Sequence, residues 1–120
     1  MTSHSTTEPV RGEVWSIRFD PATGAEMGKI RPAVVVSLPS IGRLPLRIVV
    51  PVTAWDPQYA SVPWLVYLKP AQRNGLSKKS AADCFQVKSV SLKRFIDKLG
   101  DLRADNIEEI SAAIALCVGA

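Results

Sequence analysis

Histidine is almost missing from this sequence: His4 is the only one among 120 residues. Catalysis by a His pair or a Ser–His dyad is therefore excluded unless the N-terminal tail folds back. A zinc site needs several His or Cys ligands, so no metal is expected. Cysteine is scarce too. Cys84 and Cys117 stand far apart, with no C-x-x-C pairing and no basis for a disulfide framework. No apolar run approaches the roughly 18 residues of a membrane-spanning helix. The opening MTSHSTTEPV holds one acidic side chain, no basic one and no apolar stretch, unlike a signal peptide. The expected location is the cytoplasm, with no membrane partner. Internal repeats and low-complexity segments are also lacking.

What is present fits one ordinary globular domain: 47% hydrophobic and 22% charged residues in 120 positions. Residues 1–10 read as a flexible polar tail and residues 11–120 as a single domain. The net charge is +4, but it is unevenly spread. The segment 61–100 carries Lys69, Arg73, Lys78, Lys79, Lys88, Lys93, Arg94 and Lys98 against only Asp83 and Asp97. Such a block forms either a solvated surface or a face that attracts phosphates.

Hydrophobic alternation marks the strands. Glu13–Phe19 places Trp15, Ile17 and Phe19 on one face and Val14, Ser16 and Arg18 on the other. Asp20–Lys29, with one Pro and two Gly, is a loop. Arg31–Leu38 is the most β-branched stretch and reads as a buried strand. Leu46–Thr53 follows, with Pro51 suggesting an edge or a strand end. Pro63–Lys69 and Ser80–Val90 are further strands, separated by a turn around Asn74-Gly75. The last element is an amphipathic helix, with Ile107, Ile110, Ala113, Ile114 and Cys117 at helical spacing. Asp105 and Glu108 have capping-box spacing, and Gly119 is placed to end the helix. Strands without intervening helices imply an antiparallel sheet or small barrel, mainly β, covered on one side by the helix.

One constellation suits phosphodiester chemistry. Arg31 precedes Pro32, which holds it extended. In an antiparallel hairpin centred on Gly42, Arg31 and Thr53 face each other at one sheet end. Glu26 and Lys29 enter that end from the preceding loop. A guanidinium can clamp two phosphate oxygens and stays charged through the transition state. The competing reading pairs Arg31 with Glu26 on the surface and uses Thr53 to cap a turn. Trp15 and Trp64 alternate like core residues, whereas Trp55 lies in a loop where a base could stack on it. Lys78-Lys79 is either a solvated turn or a phosphate grip, and Asp83 either a carboxylate for proton transfer or a rim residue.

The stretch RGEVWSIRFDPATGAEMGKIRPAVVVS closely resembles the opening of the MazF/PemK family of toxins. Pro51-Val52-Thr53 resembles the family's second motif. Asn74-Gly75-Leu76, Ser80 and Gln86-Val87-Lys88-Ser89 resemble the third. The resemblance spans about residues 11–118. It implies an SH3-like antiparallel β-barrel of the CcdB/MazF type with a C-terminal helix, acting as a homodimer. It implies a toxin of a toxin–antitoxin pair, a metal-independent endoribonuclease that cuts single-stranded mRNA at a short sequence and is blocked by a cognate antitoxin protein. No cofactor is implied. Arg31 matches the family's catalytic arginine, Thr53 its catalytic threonine, and Glu26 the acidic residue of the preceding loop. Lys29, Trp55, Lys78, Lys79, Gln86 and Lys88 are the candidates for holding RNA. One departure stands out. Many members carry Asp-Gln where this chain has Phe85-Gln86, and a phenyl ring accepts no proton. Glu26 is then the first candidate for the base and Asp83 the second. The alternative readings are a CcdB-like poison of gyrase acting by protein contact, and an RNA binder that does not cut.

Overall fold

The computed structural model describes residues 8–39 and 44–120. Among them lie seven strands and one α-helix: β1 (Glu13–Arg18), β2 (Ile30–Val35), β3 (Leu46–Ala54), β4 (Leu65–Leu68), β5 (Ser80–Asp83), β6 (Lys88–Ser91), β7 (Phe95–Asp101) and α1 (Ala104–Val118). All pairings are antiparallel, in the order β4-β5-β3-β2-β1-β7, with β6 also on β3. The expectation of a mainly β antiparallel fold with a C-terminal helix holds. The turn placed at Gly42, like His4, lies outside the described residues.

The central strands are buried on both faces, which explains their near-continuous valine runs. Val14, Val34, Val50, Val52, Val66, Leu68 and Ala82 face α1, where Ile107, Ile110 and Ala113 cover them. On the opposite face Trp15, Ile17, Phe19, Ala33, Val35, Val49 and Val90 form a second core with Phe95. The strand ladder does not close into a ring. Instead the loop after β4 meets β7: Asp101 donates its N–H to the Arg73 carbonyl at 2.8 Å. Gly75, at φ 71°, is required there, because a Cβ would strike the Leu99 carbonyl. Buried Asn74 ties the loop together, donating to Lys69 O and accepting from the N–H groups of Ala71 and Leu76. The result is an open, barrel-like roll.

Five sequence expectations are corrected. Pro51 sits in a central strand, between Ala33 on β2 and the β5–β6 side. Ser80–Val90 is not one strand: from Val49 to Val52 β3 advances three residues, while its partners run from Lys88 back to Ala82. The surplus forms a 3-10 turn at Cys84–Gln86, opposite a proline that has no N–H to give a ladder. Phe95–Asp101 is a strand the alternation did not reveal, because as an edge strand it has no fully buried face. Finally, α1 begins at Ala104, so Asp105 lies in its first turn, where its charge meets the helix dipole, and no side chain caps the start. Gly119 does end the helix, in the left-handed conformation at φ 74°. Pro9, assigned to the tail, is buried, and its carbonyl accepts from Arg47 Nε at 2.8 Å.

Candidate active site

Ala33 pairs with Pro51, Val34 with Val50 and Val35 with Val49. This is the register expected for the hairpin; the β2–β3 pairing ends at Ala33 and Pro51, two residues short of Arg31 and Thr53 at the same sheet end. At that point β3 has turned to β5, where Thr53 pairs with Ala81 and Ala81 with Tyr67 of β4. On its other side Arg31 pairs with Ile17. Opposed residues in a sheet share a face, so Thr53, Ala81 and Tyr67 form one transverse row, and Arg31 lies at the same sheet end, on β2, two residues beyond the last β2–β3 pair. In the row beside it, Ala33 faces Pro51, and Asp83 pairs with Leu65.

Arg31 is half-buried rather than sealed in the core. Its Nε donates to the Gly28 carbonyl at 2.9 Å and one terminal nitrogen to Met27 Sδ at 3.5 Å. Among the described residues it makes no ion pair. The surface Arg31–Glu26 pairing considered from the sequence is thus not formed. The guanidinium keeps unused donors, aimed by two contacts from its own loop. Thr53 is half-exposed.

That loop is held in shape at several points. Glu26 is exposed, and its Oε1 accepts from the Thr23 N–H at 2.7 Å. Lys29 adopts a left-handed φ of 64°. Its N–H donates to Asp20 Oδ1 at 2.6 Å, and its carbonyl accepts from Phe19 N–H at 2.8 Å. Gln86 reaches across from the 3-10 turn. Its Oε1 accepts from Met27 N–H at 2.7 Å, and its Nε2 donates to Ala25 O at 3.3 Å and Asp83 Oδ2 at 3.4 Å. Between turn and loop lies a cavity of about 380 Å³, walled by Glu26, Met27, Pro51, Phe85, Gln86 and Lys88, among others.

Asp83 is 9% exposed. Burial raises its carboxyl above the ordinary 3.8, against hydrogen bonds from the Phe85 N–H and from Gln86 that pull it down. It caps the 3-10 turn through Phe85 N–H at 3.2 Å. Cys84 is fully buried, and desolvation pushes its thiol up to about 12, so it is no nucleophile at neutral pH. Among the described residues no group of three or more His, Cys, Asp and Glu comes together to hold a metal ion.

The candidate residues do not all gather at one spot. Arg31, Thr53, Glu26, Lys29, Gln86 and Lys88 belong to the row or to the loop, turn and strand start beside it. Lys78 and Lys79 are exposed just before β5, and the Lys79 carbonyl accepts from Trp55 N–H at 3.0 Å. Trp55 is only half-exposed. Its ring meets Tyr59 and Tyr67 edge-on, with centroids 5.8 and 5.0 Å away. Trp15 is core as expected, but Trp64 is 37% exposed. Two exposed aromatics, Tyr67 and Phe85, are not among the residues that the sequence points to for holding RNA. Tyr67 follows from the inward-pointing Val66 and Leu68 on either side of it. Phe85 has no such signal, because the turn that lifts it is not periodic.

A profile of the family described as PemK-like, MazF-like toxin of type II toxin-antitoxin system matches residues 10–118. The chain belongs to this family. Endoribonuclease MazF9 of Mycobacterium tuberculosis is 32% identical over 112 residues, covering 88% of this chain and 92% of that protein. The crystal structure of MazF from Deinococcus radiodurans superposes with a TM-score of 0.79 at 25% identity, over 93% of this chain and 97% of that one. One MazE–MazF crystal form from the same organism, Form-II, gives 0.71 at 27% identity, covering 93% and 96%. The MazF-like fold, with its single C-terminal helix, is therefore that of this chain.

Proposed function

We propose that this MazF-like toxin is a metal-independent endoribonuclease that cuts single-stranded mRNA by attack of a ribose 2′-OH on the adjacent phosphorus. The observation that supports this reading is that Arg31, half-buried and without an ion pair among the described residues, and Thr53 lie at one end of the adjacent strands β2 and β3, two residues beyond the Ala33–Pro51 pair and near an open cavity. The 2′-oxygen bonds to phosphorus as its proton passes to a carboxylate, and the bond to the departing 5′-oxygen breaks as that oxygen takes a proton from water. The products are a 2′,3′-cyclic phosphate and a 5′-OH. Arg31 stabilises the charge that builds on the phosphorane oxygens, and Thr53 donates a hydrogen bond to one of them. Glu26 is the base. It is exposed beside the cavity, and among the described residues only its Oε1 is hydrogen-bonded, whereas Asp83 uses both oxygens to hold the turn.

Lys29, Lys78, Lys79 and Lys88 hold backbone phosphates, and Trp55 offers a ring edge to a base. Gln86 acts as a positioning residue for the loop that carries Arg31. The working form is a cytoplasmic homodimer, and a cognate antitoxin protein occupies the site. No helix among the described residues is long and apolar enough to cross a membrane.

Incubation of the purified protein with a long mixed-sequence transcript in excess EDTA tests the reading. Cyclic-phosphate ends are expected. Arg31→Ala should lower the rate by about 10²–10³ while the melting temperature stays near the parent's. Cutting of an all-DNA chain, or an Arg31→Ala variant at full rate, overturns it.

A further inference from the structure

The Phe85 side chain is 65% exposed, at the mouth of the cavity beside Gln86 and Lys88. An apolar ring in that position forgoes burial it would have gained by folding inward. It is not loosely held. The 3-10 turn beneath it is capped by Asp83, and the Cys84 N–H donates to the Trp64 carbonyl at 3.0 Å. The Trp64 ring, itself 37% exposed, meets Phe85 edge-on, with centroids 5.7 Å apart and planes at 61°. An edge contact leaves a ring's broad face open to a further stacking partner. Lys88 on the cavity wall and Lys29 on the adjoining loop are exposed cations, which favour an occupant with a polyanionic backbone.

We propose that the Phe85–Trp64 pair is a stacking platform for an unpaired nucleobase flanking the cut bond, and that Phe85 helps set which nucleotide is accepted there. The proposal rests on the endoribonuclease reading above. Where a carboxylate in this place would serve proton transfer, a phenyl ring serves selection. A fixed ring is a low-entropy surface for a base, because few rotatable bonds are frozen on binding.

The test compares parent, Phe85→Ala and Phe85→Tyr. Cut ends are mapped on the long transcript, and affinity is measured for an all-DNA oligonucleotide of the preferred sequence, which cannot be cut by 2′-OH attack. For Phe85→Ala, affinity should fall and KM rise by about tenfold or more, with kcat on the best remaining site changed far less. The base preference at one position beside the cut should broaden. Phe85→Tyr, which keeps the ring, should restore both. If the parent cuts and Phe85→Ala keeps the same site preference and affinity, the platform is refuted while the nuclease reading stands. If the parent binds the oligonucleotide but cuts nothing, the nuclease reading falls, and a platform beside a cut bond falls with it. If Phe85→Ala weakens only self-association or antitoxin binding, the ring faces protein and the proposal is overturned.

Discussion

Lys29 shows how a single residue trades stability for a charge. Its left-handed backbone costs a non-glycine residue of order 1 kcal/mol, and the bonds to Asp20 and Phe19 hold it there. Asparagine tolerates that conformation far better. Lys29→Asn should therefore melt no lower than the parent, and higher if the strain is relieved, while binding RNA less tightly if Lys29 holds a phosphate as proposed. Calorimetry and an oligonucleotide titration check the two effects separately. A lower melting temperature with unchanged affinity would falsify the assignment of Lys29 to RNA. The strain is invisible in the sequence, since a Gly-Lys pair gives no sign of which residue takes the positive φ. Arg31 and Thr53 were easier to read. Pro32 makes an arginine before it extended, and the start of one strand and the end of the next share a sheet end whatever the loop between them does.

At the scale of elements, the decisive feature is the 3-10 turn between β5 and β6. Three surplus residues opposite Pro51 lift Phe85 out and send Gln86 to the β1–β2 loop. Two segments almost sixty residues apart thereby fix the arginine's position. Gln86→Leu removes the acceptor for the Met27 N–H. Hydrogen exchange at Met27 should speed up, and kcat should fall by up to about 100-fold, since small displacements of a positioning group are costly. The fold should hold, because one part-buried hydrogen bond is worth only about 1 kcal/mol. An amide at Met27 that stays protected, with kcat intact, would show that the loop holds its shape unaided. The alternating and helical segments of this chain were legible because burial on one side imposes a period. The turn, the edge strand β7 and the true start of α1 were not, because bulges and edges answer to tertiary pairing rather than to local pattern.

Across the whole molecule, pH acts through a carboxylate that is not the candidate base. Glu13, at the start of β1, is 9% exposed and accepts hydrogen bonds from Trp15 Nε1 at 2.9 Å and Val10 N–H at 3.0 Å. Its other oxygen meets Lys98 of β7 at 3.1 Å, so it joins the domain entrance to the last strand. Burial alone would raise its pKa, but the bonds from Trp15, Val10 and Lys98 outweigh that, and the folded value lies below the ordinary 4.5. A carboxyl with a depressed folded pKa gives stability that is complete above its unfolded pKa and is lost as pH falls through the folded one. Glu13→Gln keeps an oxygen for Trp15 and Val10 but removes the charge facing Lys98. In urea titrations at neutral pH the variant should be less stable than the parent, modestly so because Lys98 is 40% exposed and water screens the pair. As pH drops below about 4.5, the parent alone pays to protonate Glu13, so the two stabilities should converge. Parallel curves down to pH 3 would mean that this carboxylate is not coupled to folding, and that the β1–β7 seam is held by Trp15 and Phe95 packing instead.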